Sequence, residues 1–174
     1  MASENTKALS AIALDLIATA FPDRPPPKVM SDSKQLSDTE YTEVMSYEGM
    51  RWQDVTFELV EDAPDAFFWF APEAFCYYLP GILAAGLRDN RWDSNAYDSL
   101  IGTLDRSPEP DYWDDFFLPR FELFSPLEID AIAAWVKWLE SVQPDAYLAN
   151  SYARALETLH LLKVRQARRC KQRV

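Results

Sequence analysis

The residues equipped for catalysis are few. The chain of 174 residues has one histidine, His160, and two cysteines, Cys76 and Cys170. A nucleophile–imidazole centre would have to be built around that single histidine. Cys76 and His160 form a conceivable thiol–imidazole pair, but nothing in their spacing brings them together. A zinc site needs cysteine or histidine at ligand spacing, and neither pattern is present. No GxxxxGK[ST] or GxGxxG run offers a phosphate cradle. The stretches EDAPD (61–65) and DYWDD (111–115) hold carboxylates of the kind that bind Ca²⁺, yet lack EF-hand spacing and its glycine. Paired carboxylates such as Asp114 and Asp115 are common in acidic loops and do not by themselves indicate acid–base catalysis. No catalytic residue, metal or cofactor is expected, and His160 reads as a partly exposed helical residue beside Leu159.

Surfaces remain. EPDYWDDFF (109–117) sets Tyr112, Trp113 and two phenylalanines among Glu109, Asp111, Asp114 and Asp115. Carboxylates draw in a basic partner, and Trp and Tyr supply desolvated anchors. The alternative is a loop whose aromatics tuck into the core while its carboxylates stay wet. A second acidic rim, Glu58, Glu61, Asp62 and Asp65, carries the same two readings.

The charge is uneven. The chain has a net charge of −11, but Lys163, Arg165, Arg168, Arg169, Lys171 and Arg173 crowd its end. Residues 1–162 hold 11 basic against 28 acidic groups, a net −17. Such a body repels phosphate backbones and attracts basic proteins, although acidity also simply keeps proteins soluble. The basic tail (165–174) is expected to complement the end of the last helix or to fray. Cys76 lies in an apolar run and reads as core; Cys170 reads as a free thiol. Two such cysteines suit a reducing compartment. The N-terminus lacks a basic stretch ahead of its apolar one, and no run of about 18 apolar residues occurs. A cytoplasmic location with no membrane partner is expected.

Positioning such surfaces needs a scaffold, and the apolar spacing predicts a helical one. Leu9, Ile12, Ala13, Leu16, Ile17 and Ala20 mark a helix over 4–20. A proline-rich connector follows (22–30). Ser37 and Glu40 form a capping box for a second helix with Tyr41, Val44 and Met45 on its apolar face. Trp52, Val55, Leu59 and Val60 suggest another helix, with Phe57 off the stripe, before a turn at 61–66. Pro72 opens a helix over 72–88, in which Pro80-Gly81 predicts a kink. Residues 93–105 form a helix capped by Asp93 or Ser94. The segment 106–124 reads as irregular or partly helical, with a trace of strand alternation at 117–124. Ser125-Pro126-Leu127-Glu128 is a complete helix start. Pro144 separates that helix from a last one, whose seam is Leu148, Tyr152, Ala155, Leu159 and Leu162, ending near 168. The expectation is a single all-α domain, 1–174, of six to eight helices.

FWFAPEAFCYYLPGIL resembles the PEAF-x-YYLP signature of a family of small uncharacterised bacterial cytoplasmic proteins. RWQDVTFELVEDAPDAFFWF and RFELFSPLEIDAIAAWVKWLE look like its flanking blocks, so the likeness spans about 40–142. Ala71 stands where a Ser or Thr cap would be usual. The resemblance implies a helical domain and transfers no catalytic residue. Some members look like immunity partners of secreted toxins.

The expected function is a non-enzymatic binding protein: an immunity protein that covers the active site of a basic toxin domain. Two other readings stay open. One is an enzyme with a carboxylate or tyrosine site near Glu73, Tyr77 and Tyr78. The other is a housekeeping adaptor or a homodimer.

Overall fold

A computed structural model describes residues 4–143 and 149–172. Pro144, Leu148 and the side chain of Cys170 lie outside the described residues. The described chain is all-α, with no strand. Six helices have eight residues or more: α1 (Glu4–Ala20), α2 (Asp38–Met45), α5 (Pro72–Asp89), α6 (Asn95–Leu104), α8 (Pro126–Val142) and α9 (Ala149–Gln172). Three short ones join them: α3 (Phe57–Asp62), α4 (Ala66–Trp69) and α7 (Phe117–Phe121).

Local chemistry sets the helix starts. Ser37 and Ser125 each head a complete capping box, closed by Glu40 and Glu128. Thr56 caps α3, and Ser94 caps α6. At Ala71, which has no side-chain cap, the backbone does the work instead: the Ala71 N–H donates to the Met30 carbonyl at 2.8 Å, fastening the proline-rich connector to the start of α5.

The centre of the molecule is α5, buried from Ala74 to Leu87. Around it pack α1, α3, α4, α7, α8 and a 3-10 turn at Trp52–Asp54, while α8, α9 and α6 pack in succession. The predicted seam on α9 holds: Tyr152, Ala155, Leu159 and Leu162 are all buried.

Several sequence expectations are corrected. The helix through Trp52–Val60 is two elements, because Thr56 restarts the chain and brings Phe57 to 0% exposure. The hint of a strand at 117–124 is α7 and a turn. Phe117 and Phe121, one helical turn apart, stack at 4.2 Å, and Asp114 bonds the Phe117 N–H. Ile12 and Tyr41 are exposed, since α1 buries the line through Thr6, Ala13 and Ile17, and α2 buries only Val44. The last helix runs on to Gln172, tied down by Lys163 to Asp130 and Arg165 to Glu122.

Helix α5 runs through Pro80 and Gly81 from Pro72 to Asp89. Gly81 is where another segment crosses it: a Cβ there would stand 2.2 Å from the Trp52 carbonyl oxygen. One turn later the Tyr97 hydroxyl enters the helical ladder. It accepts from the Gly86 N–H at 2.8 Å and donates to the Ile82 carbonyl at 2.9 Å, the two groups that an α-helix would pair.

Candidate functional site

Helix α2 and the short α4 pack side by side and leave a cleft of about 380 Å³ between them. Its walls are Ser37, Thr39, Glu40 and Glu43 from α2 and its cap, and Asp65, Phe68 and Trp69 from α4 and its cap. The capping box fixes Glu40, whose Oε2 accepts from the Ser37 N–H at 2.7 Å. Glu43 is fixed from the other side, accepting from the Asp65 N–H at 3.1 Å. Phe68 and Trp69 are half-buried, so each offers the cleft part of its surface.

Glu40 and Asp65 both crowd Glu43. Burial raises the Glu43 carboxyl above its ordinary value; the Asp65 N–H lowers it, and the charges of Asp65 and Glu40 raise it again. None of the three has an ion-pair partner among the described residues. Among the described residues, no group of three or more His, Cys, Asp or Glu is placed to hold a metal ion. Carboxylates beside half-buried aromatic rings are the kind of setting in which a guanidinium or ammonium can be held.

One wall of the cleft continues into the 109–117 segment. Phe68 packs on Phe116 at 5.7 Å between ring centres. Phe116 is held by Arg120, whose guanidinium carbon lies 4.1 Å from that ring's centre. Arg120 is buried and donates to the Phe116 carbonyl at 3.1 Å and to the Phe70 carbonyl at 2.7 Å. It thereby staples α7 to the chain just after α4. Burial lowers the Arg120 guanidinium below its ordinary value, while Asp32, Cys76 and Asp114 oppose the shift.

The ten acidic and aromatic residues singled out in the sequence have separate fates. Asp65 lies in the cleft. Glu109, Asp111, Tyr112 and Asp115 are exposed, Tyr112 to 74%. Trp113 is not a surface anchor: it is 6% exposed, and its Nε1 donates to the Ser107 carbonyl at 2.8 Å. Asp114 is occupied by the Phe117 N–H and by Arg106 at 2.8 Å. Glu58 and Glu61 both hold Arg91, at 3.2 and 2.6 Å, and that guanidinium lies 3.9 Å from the centre of the Phe57 ring. Asp62 is exposed beside them. Sequence reading passed over Glu40, Glu43, Phe68 and Trp69. The available signal was Glu40 and Glu43 three apart on one helix face, with Phe68-Trp69 just after Asp65.

The residues considered for catalysis have different environments, although the Tyr77 and Tyr78 rings pack edge-on at 4.8 Å. Cys76 is buried and its thiol donates to the Arg120 carbonyl at 3.2 Å, whereas His160 is exposed on α9. Burial pushes the Cys76 thiol up to about 12, so it stays protonated. Tyr78 is sealed between Tyr47 and Phe70, and Glu73 is exposed. No helix among the described residues is long and apolar enough to cross a membrane.

A family model described as a family of unknown function, DUF6714, matches residues 30–159. The chain belongs to that family. The DUF6714 match begins at Met30, the residue that fastens the connector to α5, and it contains both walls of the cleft. Membership brings no activity and no site residue with it. No curated protein and no solved structure matches the chain.

Proposed function

We propose that this protein is a non-enzymatic binding protein whose acidic, aromatic cleft receives a basic side chain of a protein partner. The observation behind the reading is the cleft itself. Glu40, Glu43 and Asp65 surround half-buried Phe68 and Trp69 with no cation of the chain paired to them among the described residues. By contrast, Glu58, Glu61 and Asp114 are already matched by the chain's own arginines.

The cleft opens from a body of net −17, which speeds encounter with a basic protein and disfavours nucleic acid. The exposed Tyr112, Glu109, Asp111 and Asp115 would extend the contact along the surface that Phe116 joins to Phe68. The specific form of this reading is an immunity protein in the cytoplasm. It would occlude the positive active-site cleft of a toxin effector domain with an acidic plug. That form draws on the family resemblance as well as on the charge.

Charge reversal tests the reading. Glu43→Lys with Asp65→Lys is expected to abolish capture of a basic, salt-sensitive partner from the native host while the fold persists. Capture of the same partner by wild type and variant alike would count against the cleft as the binding surface.

A further inference from the structure

Tyr77 is a loose end in the core. The ring is 2% exposed, and its hydroxyl is buried without a hydrogen-bond partner. Buried hydroxyls nearly always find one, so an orphan calls for a cause. Burial raises the Tyr77 phenol above its ordinary value; the Trp52 backbone lies near enough to lower it, though outside hydrogen-bonding geometry. The charges of Asp23, Arg51 and Arg24 act on it next.

Those residues line a cavity of about 450 Å³, together with Pro25 and Pro26. Arg24 lies over the Tyr77 ring, its guanidinium carbon 5.8 Å from the ring centre. Arg51 is positioned by the turn that follows it. That turn crosses α5 at Gly81, and Arg88 clamps it by donating to the carbonyls of Gln53, at 3.0 Å, and Val55. The carboxylate at the cavity, Asp23, is only loosely committed to Arg51: their 3.8 Å contact is largely exposed, and Asp23 also accepts from Gln53 Nε2 at 3.2 Å. Two guanidiniums thus meet at one cavity of an otherwise strongly acidic body.

We propose that this cavity is an oxyanion site, taking a small molecule through a carboxylate or phosphate group held by Arg24 and Arg51, with Arg24 seated over the Tyr77 ring. Guanidiniums match such groups in a two-pronged geometry. Asp23 moves off Arg51 as the anion arrives. The site shares no residue with the acidic cleft and does not depend on the protein-binding reading.

Thermal unfolding of the full chain in sodium phosphate, sodium acetate and sodium chloride at matched ionic strength tests the site. The wild type is expected to rise in Tm with phosphate or acetate beyond the chloride series, in a saturable way. Arg24→Gln with Arg51→Gln, both at exposed positions, is expected to weaken the apparent affinity by roughly tenfold or more, the scale of a lost charge-assisted hydrogen bond. Tyr77→Phe is expected to keep the starting Tm, since its hydroxyl bonds nothing, and to keep the anion response, since that hydroxyl is sealed away from the cavity lining. A response to phosphate alone assigns a phosphate-bearing ligand, a response to acetate alone assigns a carboxylate, and a response to both supports a site that takes either oxyanion. General salting-out by phosphate would act equally on wild type and variant. No rise beyond chloride, or a rise unchanged in the double arginine variant, overturns the proposal.

Discussion

Tyr112 and Trp113 are neighbours in the chain with opposite environments. Trp113 packs edge-on to Phe117 at 5.1 Å and bonds the Ser107 carbonyl, whereas Tyr112 stands in solvent. Trp113→Ala is expected to cost about 3–5 kcal/mol, and Tyr112→Ala to stay within about 0.5 kcal/mol, both read from urea unfolding. Alternation in DYWDD could not say which ring turns inward. The 3-10 turn at Pro110–Tyr112 and the distant Ser107 acceptor decide it. Glu43 makes the pH prediction. Its folded-state pKa is raised, so the folded chain holds its proton more tightly than the unfolded one. Its contribution to stability is therefore greatest when protonated and falls as pH rises through the window just above the ordinary carboxylate value. Glu43→Gln keeps an acceptor for the Asp65 N–H and removes the crowding with Glu40 and Asp65. It is expected to be as stable as wild type or slightly more so at neutral pH, by up to about 0.5 kcal/mol, with the advantage gone in acid. A loss of stability at neutral pH would mean that the Glu43 charge is satisfied within the chain.

At the scale of elements, Gly81 separates propensity from packing. Alanine is the better helix former by about 1 kcal/mol. A Cβ at 81, however, meets the Trp52 carbonyl at 2.2 Å and Val55 Cγ2 at 2.8 Å. Gly81→Ala is thus expected to destabilise by about 1–3 kcal/mol, measured by thermal or urea unfolding, and a gain in stability would contradict the crossing. Elements whose signals are local were legible in the sequence: both capping boxes, Pro72 and Pro126 at helix starts, and the α9 seam. Those decided by distant partners were not. The break at Thr56 serves the fit of the 3-10 turn onto α5, and α7 exists because Arg120 reaches the Phe70 carbonyl fifty residues back. The same reason hid the cleft. Glu43 and Asp65 meet only because α2 packs on α4; the Glu40/Glu43 spacing and the Phe68-Trp69 pair mark each wall separately, but nothing in either stretch brings the two walls together.

For the whole molecule, charge is divided into matched and unmatched parts. Arg91, Arg106, Arg154, Lys163 and Arg165 each neutralise a carboxylate of the body. Even so, residues 1–165, which include all five of these cations, hold 13 basic against 28 acidic groups, a net −15, with Glu40, Glu43 and Asp65 lying around one aromatic cleft. Complementarity of this kind sets association rate more than it sets the final affinity. Association with a basic partner is accordingly expected to slow steeply between about 0.05 and 0.5 M salt while dissociation changes less, a split that surface plasmon resonance resolves. The most direct test of the binding reading is comparative affinity purification from the native host with three baits: wild type, Trp69→Ala, and Glu43→Lys with Asp65→Lys. The expected result is a basic protein that wild type retains at low salt and releases at high salt, held weakly by Trp69→Ala and absent from the charge-reversed bait. Recovery of no basic protein by wild type, or equal recovery by all three baits, would contradict the account.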